Sequence, residues 1–262
     1  MSELVEWFYA FPRPVIIAHR GASAYYPENT MPAIKSAMEA GADMIEVDVQ
    51  MSADEVPVIA HDPDLERTAF LKKRISDLSW EQLQQIDVGS WFHPRFAEIR
   101  ILSLQQLLRM CAHSMPLNLE VKFQYGSRAA MERAIKKVLT EVCEHEMNHK
   151  VIISGFDHKV ASMVKKNDSH IATAILYNPI NWKRALPSRL VENSRADFFH
   201  CSWKQYGKQW QQDLENHHIP VNVYTVNQTT TYKRMRELGI NGVFTDRPDM
   251  LIKYEKQLNK NS

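Results

Sequence analysis

Apolar and polar positions along this chain change their period again and again. Short runs of continuous or alternating apolar residues read as strands: VIIAH (15–19), MIEVDVQM (44–51), LNLEVK (117–122), VIISGF (151–156), IATAIL (171–176), DFFHCSW (197–203), VNVYTV (221–226) and GVFTD (242–246). Segments of helical spacing lie between most of them. One starts after Thr30 as N-cap, carries Pro32 in its first turn and runs to Ala40, where Gly41 closes it. Others cover about 127–146, 157–167, 205–217, a stretch ending at Gly239, and 248–259. Eight strands in such alternation argue for a parallel sheet with right-handed crossovers. Eight units in one chain favour a closed TIM (β/α)8 barrel over an open sheet.

One interval breaks the rhythm. About 65 residues separate the second strand from the third, against roughly 10–20 elsewhere. It holds a short strand VPVIA (56–60), helices near 79–86 and 103–113, and apolar bulk of its own in Trp80, Trp91, Phe92 and Phe96. The expectation is one barrel domain over 1–262, with a small insertion at about 52–105 on the rim. Repeats and low-complexity tracts are absent from the sequence, and the final Lys-Asn-Ser is expected to fray.

Composition adds limits. The chain has 262 residues, 44% hydrophobic and 24% charged, with 32 basic against 31 acidic side chains. A net charge of +1 removes the global basic excess of a nucleic-acid coat, so no nucleic-acid partner is expected. Three widely spaced cysteines form no disulfide framework and suggest a reducing compartment. In the N-terminal MSELVEWFYAFPRP, Glu3 and Glu6 come first and Pro12 stops the apolar run, unlike a signal peptide. No stretch approaches the ~20 apolar residues of a membrane span. A cytoplasmic protein without a transmembrane segment is the expectation.

The alternation also exposes candidate chemistry. Ile45, Val47 and Val49 share one strand face, and Glu46, Asp48 and Gln50 the other; Leu117, Leu119 and Val121 likewise oppose Asn118, Glu120 and Lys122. Acids pointing into a barrel mouth must be paired or hold a cation. Alternation alone leaves open the plainer reading of a half-exposed sheet with acids in water, and favours it. His19 and His61 end short apolar runs and are followed by Arg20 and Asp62. Barrel chemistry gathers at such strand ends.

These segments resemble one known family. His19-Arg20-Gly21-Ala22 with Pro27-Glu28-Asn29-Thr30 is similar to the opening signature of glycerophosphodiester phosphodiesterases. The likeness continues through Ala40-Gly41-Ala42-Asp43, Glu46-Val47-Asp48-Val49, Val58-Ile59-Ala60-His61-Asp62 and Leu65-Glu66-Arg67-Thr68. It extends to Asp87-Val88-Gly89-Ser90-Trp91-Phe92, Leu119-Glu120-Val121-Lys122, Asn222 to Asn227 and Gly242 to Pro248. The resemblance implies a TIM-type barrel with an insertion after the second strand. It implies Glu46, Asp48 and Glu120 as ligands of one divalent cation, and His19 and His61 as the acid–base pair. Arg20 and Lys122 would hold the phosphate, Trp203 would line the substrate pocket, and Glu28 would orient its neighbours. The sequence departs from the family pattern at Tyr224, often tryptophan, at the glycine-free Ala-Phe-Leu-Lys-Lys-Arg after Thr68, and at Leu102-Ser103-Leu104. These bear on substrate preference and rim shape.

The chemistry of the residues agrees. Three carboxylates without a thiolate make a hard oxygen site for Mg²⁺ or Ca²⁺. Their charge, one dication, two fixed cations and a monoanionic diester sum to zero. Imidazoles titrate near neutrality, so one can take a proton and the other give one. The implied reaction is hydrolysis of a small-molecule glycerophosphodiester, such as glycerophosphocholine or glycerophosphoethanolamine, to sn-glycerol 3-phosphate and an alcohol. Which histidine is the acid stays open, as does whether water or the glycerol 2-hydroxyl attacks first. Two alternatives remain: a related barrel acting on lysophospholipids, with an apolar lip beside the site, and a silent barrel that senses a phosphate metabolite.

Overall fold

The computed structural model describes residues 2–112, 114–122, 127–183 and 185–258. The chain opens with helix α1 (Glu3–Ala10), strand β1 (Val15–His19), helix α2 (Met31–Ala40) and strand β2 (Met44–Met51). The long interval that follows holds β3 (Pro57–Ile59), β4 (Asp64–Leu65), α3 (Glu66–Ala69), β5 (Leu71–Arg74), α4 (Trp80–Leu83) and β6 (Leu102–Ser103), and leads into α5 (Leu104–Cys111). Strand and helix then alternate as β7 (Leu117–Val121), α6 (Arg128–Glu144), β8 (Val151–Gly155), α7 (Lys159–Asn167), β9 (Ala172–Leu176) and α8 (Pro187–Ser194). The chain finishes with β10 (Phe198–Ser202), α9 (Lys208–Asn216), β11 (Val221–Tyr224), α10 (Thr229–Glu237), β12 (Gly242–Thr245) and α11 (Pro248–Leu258).

Eight of these strands, β1, β2 and β7 to β12, are parallel neighbours, and β12 returns to pair with β1, Val15 beside Gly242. The ring is closed, so the fold is the expected TIM (β/α)8 barrel. Outward residues such as Ile45, Val47, Leu119 and Ile153 pack under α2, α5, α6 and α7. Val223, Val243 and Phe199 do the same under the later helices. The segment between β2 and β7 adds β3 antiparallel to β2, with β6 on its far side, and a separate β4–β5 hairpin. Its apolar side chains, including Leu65, Ile75, Leu83 and Ile101, form a cluster of their own.

Several details differ from the sequence reading. The helix near 79–86 is one turn long, because the amides of Gln85 and Ile86 bond only three residues back. Thr30 stands at the N-cap of α2, but its hydroxyl donates to the Pro27 carbonyl and caps nothing. Helix α8, with Pro187 in its first turn and Leu190 and Val191 buried, and the β4–β5 hairpin were not expected. The terminal Lys-Asn-Ser lies outside the described residues.

The N-terminal end of the barrel is plugged. Leu4, Val5 and Phe8 of α1 pack on Val15, Ile17, Met44, Ile152, Phe198 and Phe244, with the Phe8 and Phe198 rings 4.9 Å apart. Gly242 has no side chain because a Cβ there would meet Asn222 Oδ1 at 2.4 Å and the Phe8 ring at 3.0 Å. A buried polar layer lies above this plug. Asn118 donates to Ser154 Oγ at 2.9 Å, and the Asn222 amide faces His200 Nε2 at 3.0 Å. Burial with no acidic partner pushes His200 down to about 3, so it is neutral in the fold.

That histidine makes the barrel acid-sensitive. Unfolded, His200 accepts a proton near pH 6.5; folded, it does so only near 3. Its contribution is complete above pH 6.5 and is lost as pH falls from there. Denaturant titrations at pH 7 and pH 5 should show a loss about 2 kcal/mol larger in the wild type than in His200→Gln. Equal losses in the two proteins would rule this account out.

Candidate active site

Parallel register assembles the site. His19, the last residue of β1, lies beside Glu46 on β2, and Asp48, two residues further along β2, lies beside Glu120 on β7. All three acids point into the barrel mouth, where Glu46 is 1% and Asp48 0% exposed and Glu120 is also buried. The half-exposed sheet is therefore excluded. One oxygen from each of the three carboxylates lies within 4.8 Å of the others, the only such group among the described residues.

The acids are unequally satisfied. Asp48 Oδ2 accepts from Asn29 Nδ2 at 2.8 Å and pairs with Arg20 Nε at 3.0 Å, and Oδ1 faces the Lys122 ammonium at 3.3 Å. Burial opposes its ionisation, but Arg20 and Lys122 outweigh it and hold the carboxyl below its ordinary range. Glu120 pairs with Lys122 yet is raised, because burial dominates. Glu46 accepts the Arg20 backbone N–H at 2.9 Å through Oε2, while its other oxygen receives no hydrogen bond. Burial and the neighbouring Asp48 charge push it up to about 8. Asp48 Oδ1 and Glu120 Oε1 both face the Lys122 ammonium, so Glu46 Oε1 is the carboxylate oxygen of the three left without a partner, and one oxygen of each acid borders the same space. Three hard oxygens in a dry pocket fit a divalent cation of the Mg²⁺ or Ca²⁺ type.

Arg20 is placed by an unusual backbone. It sits at φ 57, followed by Gly21 at φ 80, where a Cβ would meet the Ala33 carbonyl carbon at 2.6 Å. That tight turn aims the Arg20 N–H at Glu46. Its guanidinium spans Asp48 and Glu28, which accepts at 2.9 Å. Arg67 grips Glu28 with both terminal nitrogens, at 2.7 and 3.1 Å, and Asp62 at 2.6 Å. Its guanidinium lies 5.1 Å from the Trp91 ring centroid, and Trp91, Phe92 and Phe96 pack edge to face within the insertion.

Both histidines carry a carboxylate on Nδ1. His19 meets Asp246 Oδ1 at 2.7 Å and His61 meets Asp62 Oδ1 at 2.7 Å. Asp246 is itself held by Asn227 at 2.5 Å and Ser23 at 3.1 Å. This leaves each Nε2 for the mouth of the site. Burial acts to lower both imidazoles. For His19 the Asp246 bond and the Glu46 charge outweigh it and raise the pKa; for His61 burial, with help from Arg20, wins over Asp48 and lowers it. A cleft of about 360 Å³ opens beside His61 and Lys122, walled by Gln50, Ser52, Glu55 and Arg74.

Of the residues singled out in the sequence, the structure brings together His19, His61, Arg20, Glu28, Lys122, Glu46, Asp48 and Glu120. Trp203 directly follows β10 and packs against the apolar cluster of the later strands and helices, with the Lys204 ammonium 5.7 Å from its ring. Asp62, Arg67 and Asn227 escaped the sequence reading as site residues. Only proximity to His61 could have pointed to Asp62, and nothing local ties Asp246 to His19.

The sequence matches the Glycerophosphoryl diester phosphodiesterase family over residues 19–250. It is 30% identical to a Bacillus altitudinis glycerophosphodiester phosphodiesterase, over 93% of this chain and 98% of that one. Among solved structures, an Oleispira antarctica phosphodiesterase in complex with its product sn-glycerol-3-phosphate superposes with a TM-score of 0.84 at 27% identity, covering 93% of this chain and 96% of its own. An Agrobacterium tumefaciens glycerophosphodiester phosphodiesterase shares the fold at TM-score 0.80 and 22% identity, over 92% and 99% of the two chains.

The acids generate a direct binding prediction. Asp48→Asn should weaken Mg²⁺ or Ca²⁺ binding at least about tenfold by titration calorimetry, because a ligand charge is lost while Arg20 and Lys122 remain. Unchanged affinity would remove Asp48 from the cation site.

Proposed function

The chain belongs to the glycerophosphoryl diester phosphodiesterase family, and from that premise we propose that it hydrolyses glycerophosphodiesters to sn-glycerol 3-phosphate and the free alcohol. Glycerophosphocholine and glycerophosphoethanolamine are the substrates proposed. The observation that carries the reading is the convergence of three buried acids, two fixed cations and two carboxylate-backed imidazoles at one barrel mouth. The whole chain acts as one catalytic domain, with the segment 52–105 as its rim. Among the described residues no helix is long and apolar enough to cross a membrane, and the three cysteines are free, so a cytoplasmic location is part of the proposal.

A phosphodiester resists attack because its own anionic oxygens repel nucleophiles. Glu46, Asp48 and Glu120 would hold one Mg²⁺ or Ca²⁺, which when bound supplies charge neutralisation and polarisation of the phosphoryl group. Arg20 forks across two phosphate oxygens and Lys122 adds a compact charge, each turned inward by an acid it already pairs with. Of His19 and His61, one takes the proton from the attacking hydroxyl and the other returns one to the departing alkoxide through Nε2. Asp246 and Asp62 fix the tautomer and ring plane that these transfers need. The same pair serves water or the glycerol 2-hydroxyl as nucleophile. Trp203 lines the outer pocket for the alcohol.

A coupled assay of glycerol 3-phosphate release across a panel of diesters, with Mg²⁺, Ca²⁺ or EDTA, tests the reading. Turnover should require a divalent cation. Silence on every diester, or full activity in EDTA, overturns it. His19→Ala and His61→Ala should each lose at least about a hundredfold in kcat while cation binding survives. Asp246→Asn should lower kcat about 10–100-fold with little change in KM, since it orients His19 without touching substrate. A large rise in KM at constant kcat would assign Asp246 to binding instead.

A further inference from the structure

The exposed large apolar side chains are distributed unevenly among the described residues. Tyr9 lies on α1, at the plugged end. The other six, Tyr25, Phe70, Leu71, Phe156, Ile180 and Trp182, stand on connections at the mouth: β1 to α2, the β4–β5 hairpin, β8 to α7, and β9 to α8. Single exposed apolar residues are ordinary, whereas a cluster on one face marks an interaction surface.

Folding does not account for them. Phe70 is 75% exposed and takes the left-handed position after α3, at φ 56, where glycine or asparagine is least strained. Ile180 is 88% exposed. Neither side chain gains burial where it stands.

Basic residues are interleaved with them. Lys72, Lys73 and Arg74 follow Leu71, and all are exposed. Lys183 follows Trp182, and the Arg247 guanidinium lies 5.9 Å from the Tyr25 ring. Lys72 reaches Glu66 only at 3.8 Å, and Lys73, Arg74 and Lys183 have no ion pair among the described residues. Of the acids nearby, Asp62 is engaged by Arg67 and Glu55 by Arg133, while Asp64 lies opposite Arg74 in the hairpin and Asp157 follows Phe156. The face is continuous: Arg74 shares a cleft with Lys122, whose ammonium is 5.6 Å from the Phe156 ring, and His158 stacks on Trp182 at 5.0 Å.

We propose that this mouth docks on the surface of an anionic phospholipid bilayer. Phe70, Leu71 and Ile180 enter the headgroup layer, and Lys72, Lys73, Arg74 and Lys183 meet its phosphates. Charge complementarity selects this occupant. The chain is nearly neutral overall, so the attraction rests on these local basic residues and not on net charge. The proposal does not depend on the diesterase reading, and its test needs no turnover.

Cosedimentation of the full chain with vesicles of phosphatidylcholine, alone or mixed with phosphatidylglycerol, provides the test. Binding should be at least about tenfold stronger to the mixed vesicles and should fall as salt rises. Phe70→Ser combined with Ile180→Ser should lower it about tenfold, as should Lys72→Glu combined with Lys73→Glu, with the melting temperature held. The two pairs act through different physics, so if one fails to fold the other decides. Equal binding to both vesicles, no binding, or insensitivity to a folded variant pair overturns the proposal. So does a dimer in sedimentation velocity that the serine pair dissociates while vesicles remain unbound, for then a second copy covers the face.

Discussion

The structure depends on the cost of keeping three carboxylates out of water at the mouth of a barrel. Glu46, Asp48 and Glu120 bring carboxylate oxygens within 4.8 Å of one another, and such a group persists only where cations are built in beside it. Arg20 and Lys122 fill that role, but unevenly. Asp48 is held ionised between them, while Glu46 has only a backbone amide and is driven toward the neutral acid. The remaining imbalance has the sign and hardness of a divalent cation. The left-handed turn at Arg20, the glycine after it and the Asn29 amide on Asp48 all serve this one cluster.

A second ring of charges supports the first. Glu28 joins Arg20 to Arg67, Arg67 joins Glu28 to Asp62, and Asp62 holds His61. The barrel wall and the insertion are thereby coupled through one chain of ion pairs, with Trp91 beneath the Arg67 guanidinium. His19 is anchored from the opposite side, by Asp246 after β12. The two imidazoles are thus held by different parts of the molecule. Their surroundings push their pKa values in opposite directions.

Much of this was legible in the sequence because strands carry a strict period of two. Once MIEVDVQM and LNLEVK are strands, Glu46, Asp48 and Glu120 must share the face opposite Val47 and Leu119, and closure of the ring decides that this face is inside. The family motifs then brought in His19, His61, Arg20 and Lys122. Long-range pairing was not legible: Asp246 lies 227 positions from His19. Helix α1 was read only as a segment unlike a leader, since Leu4, Val5 and Phe8 acquire their meaning from a barrel floor built by distant strands. Trp203, carried over from the resemblance, packs against the apolar cluster of the later strands and helices.

The plug beneath the polar layer has a consequence for traffic. Phe8, Phe198, Phe244 and Met44 fill the barrel below His200 and Asn222, so the interior is a blind well with a single opening. Substrate, water and both products must pass the same rim. Whatever rests on the rim therefore governs arrival and departure alike.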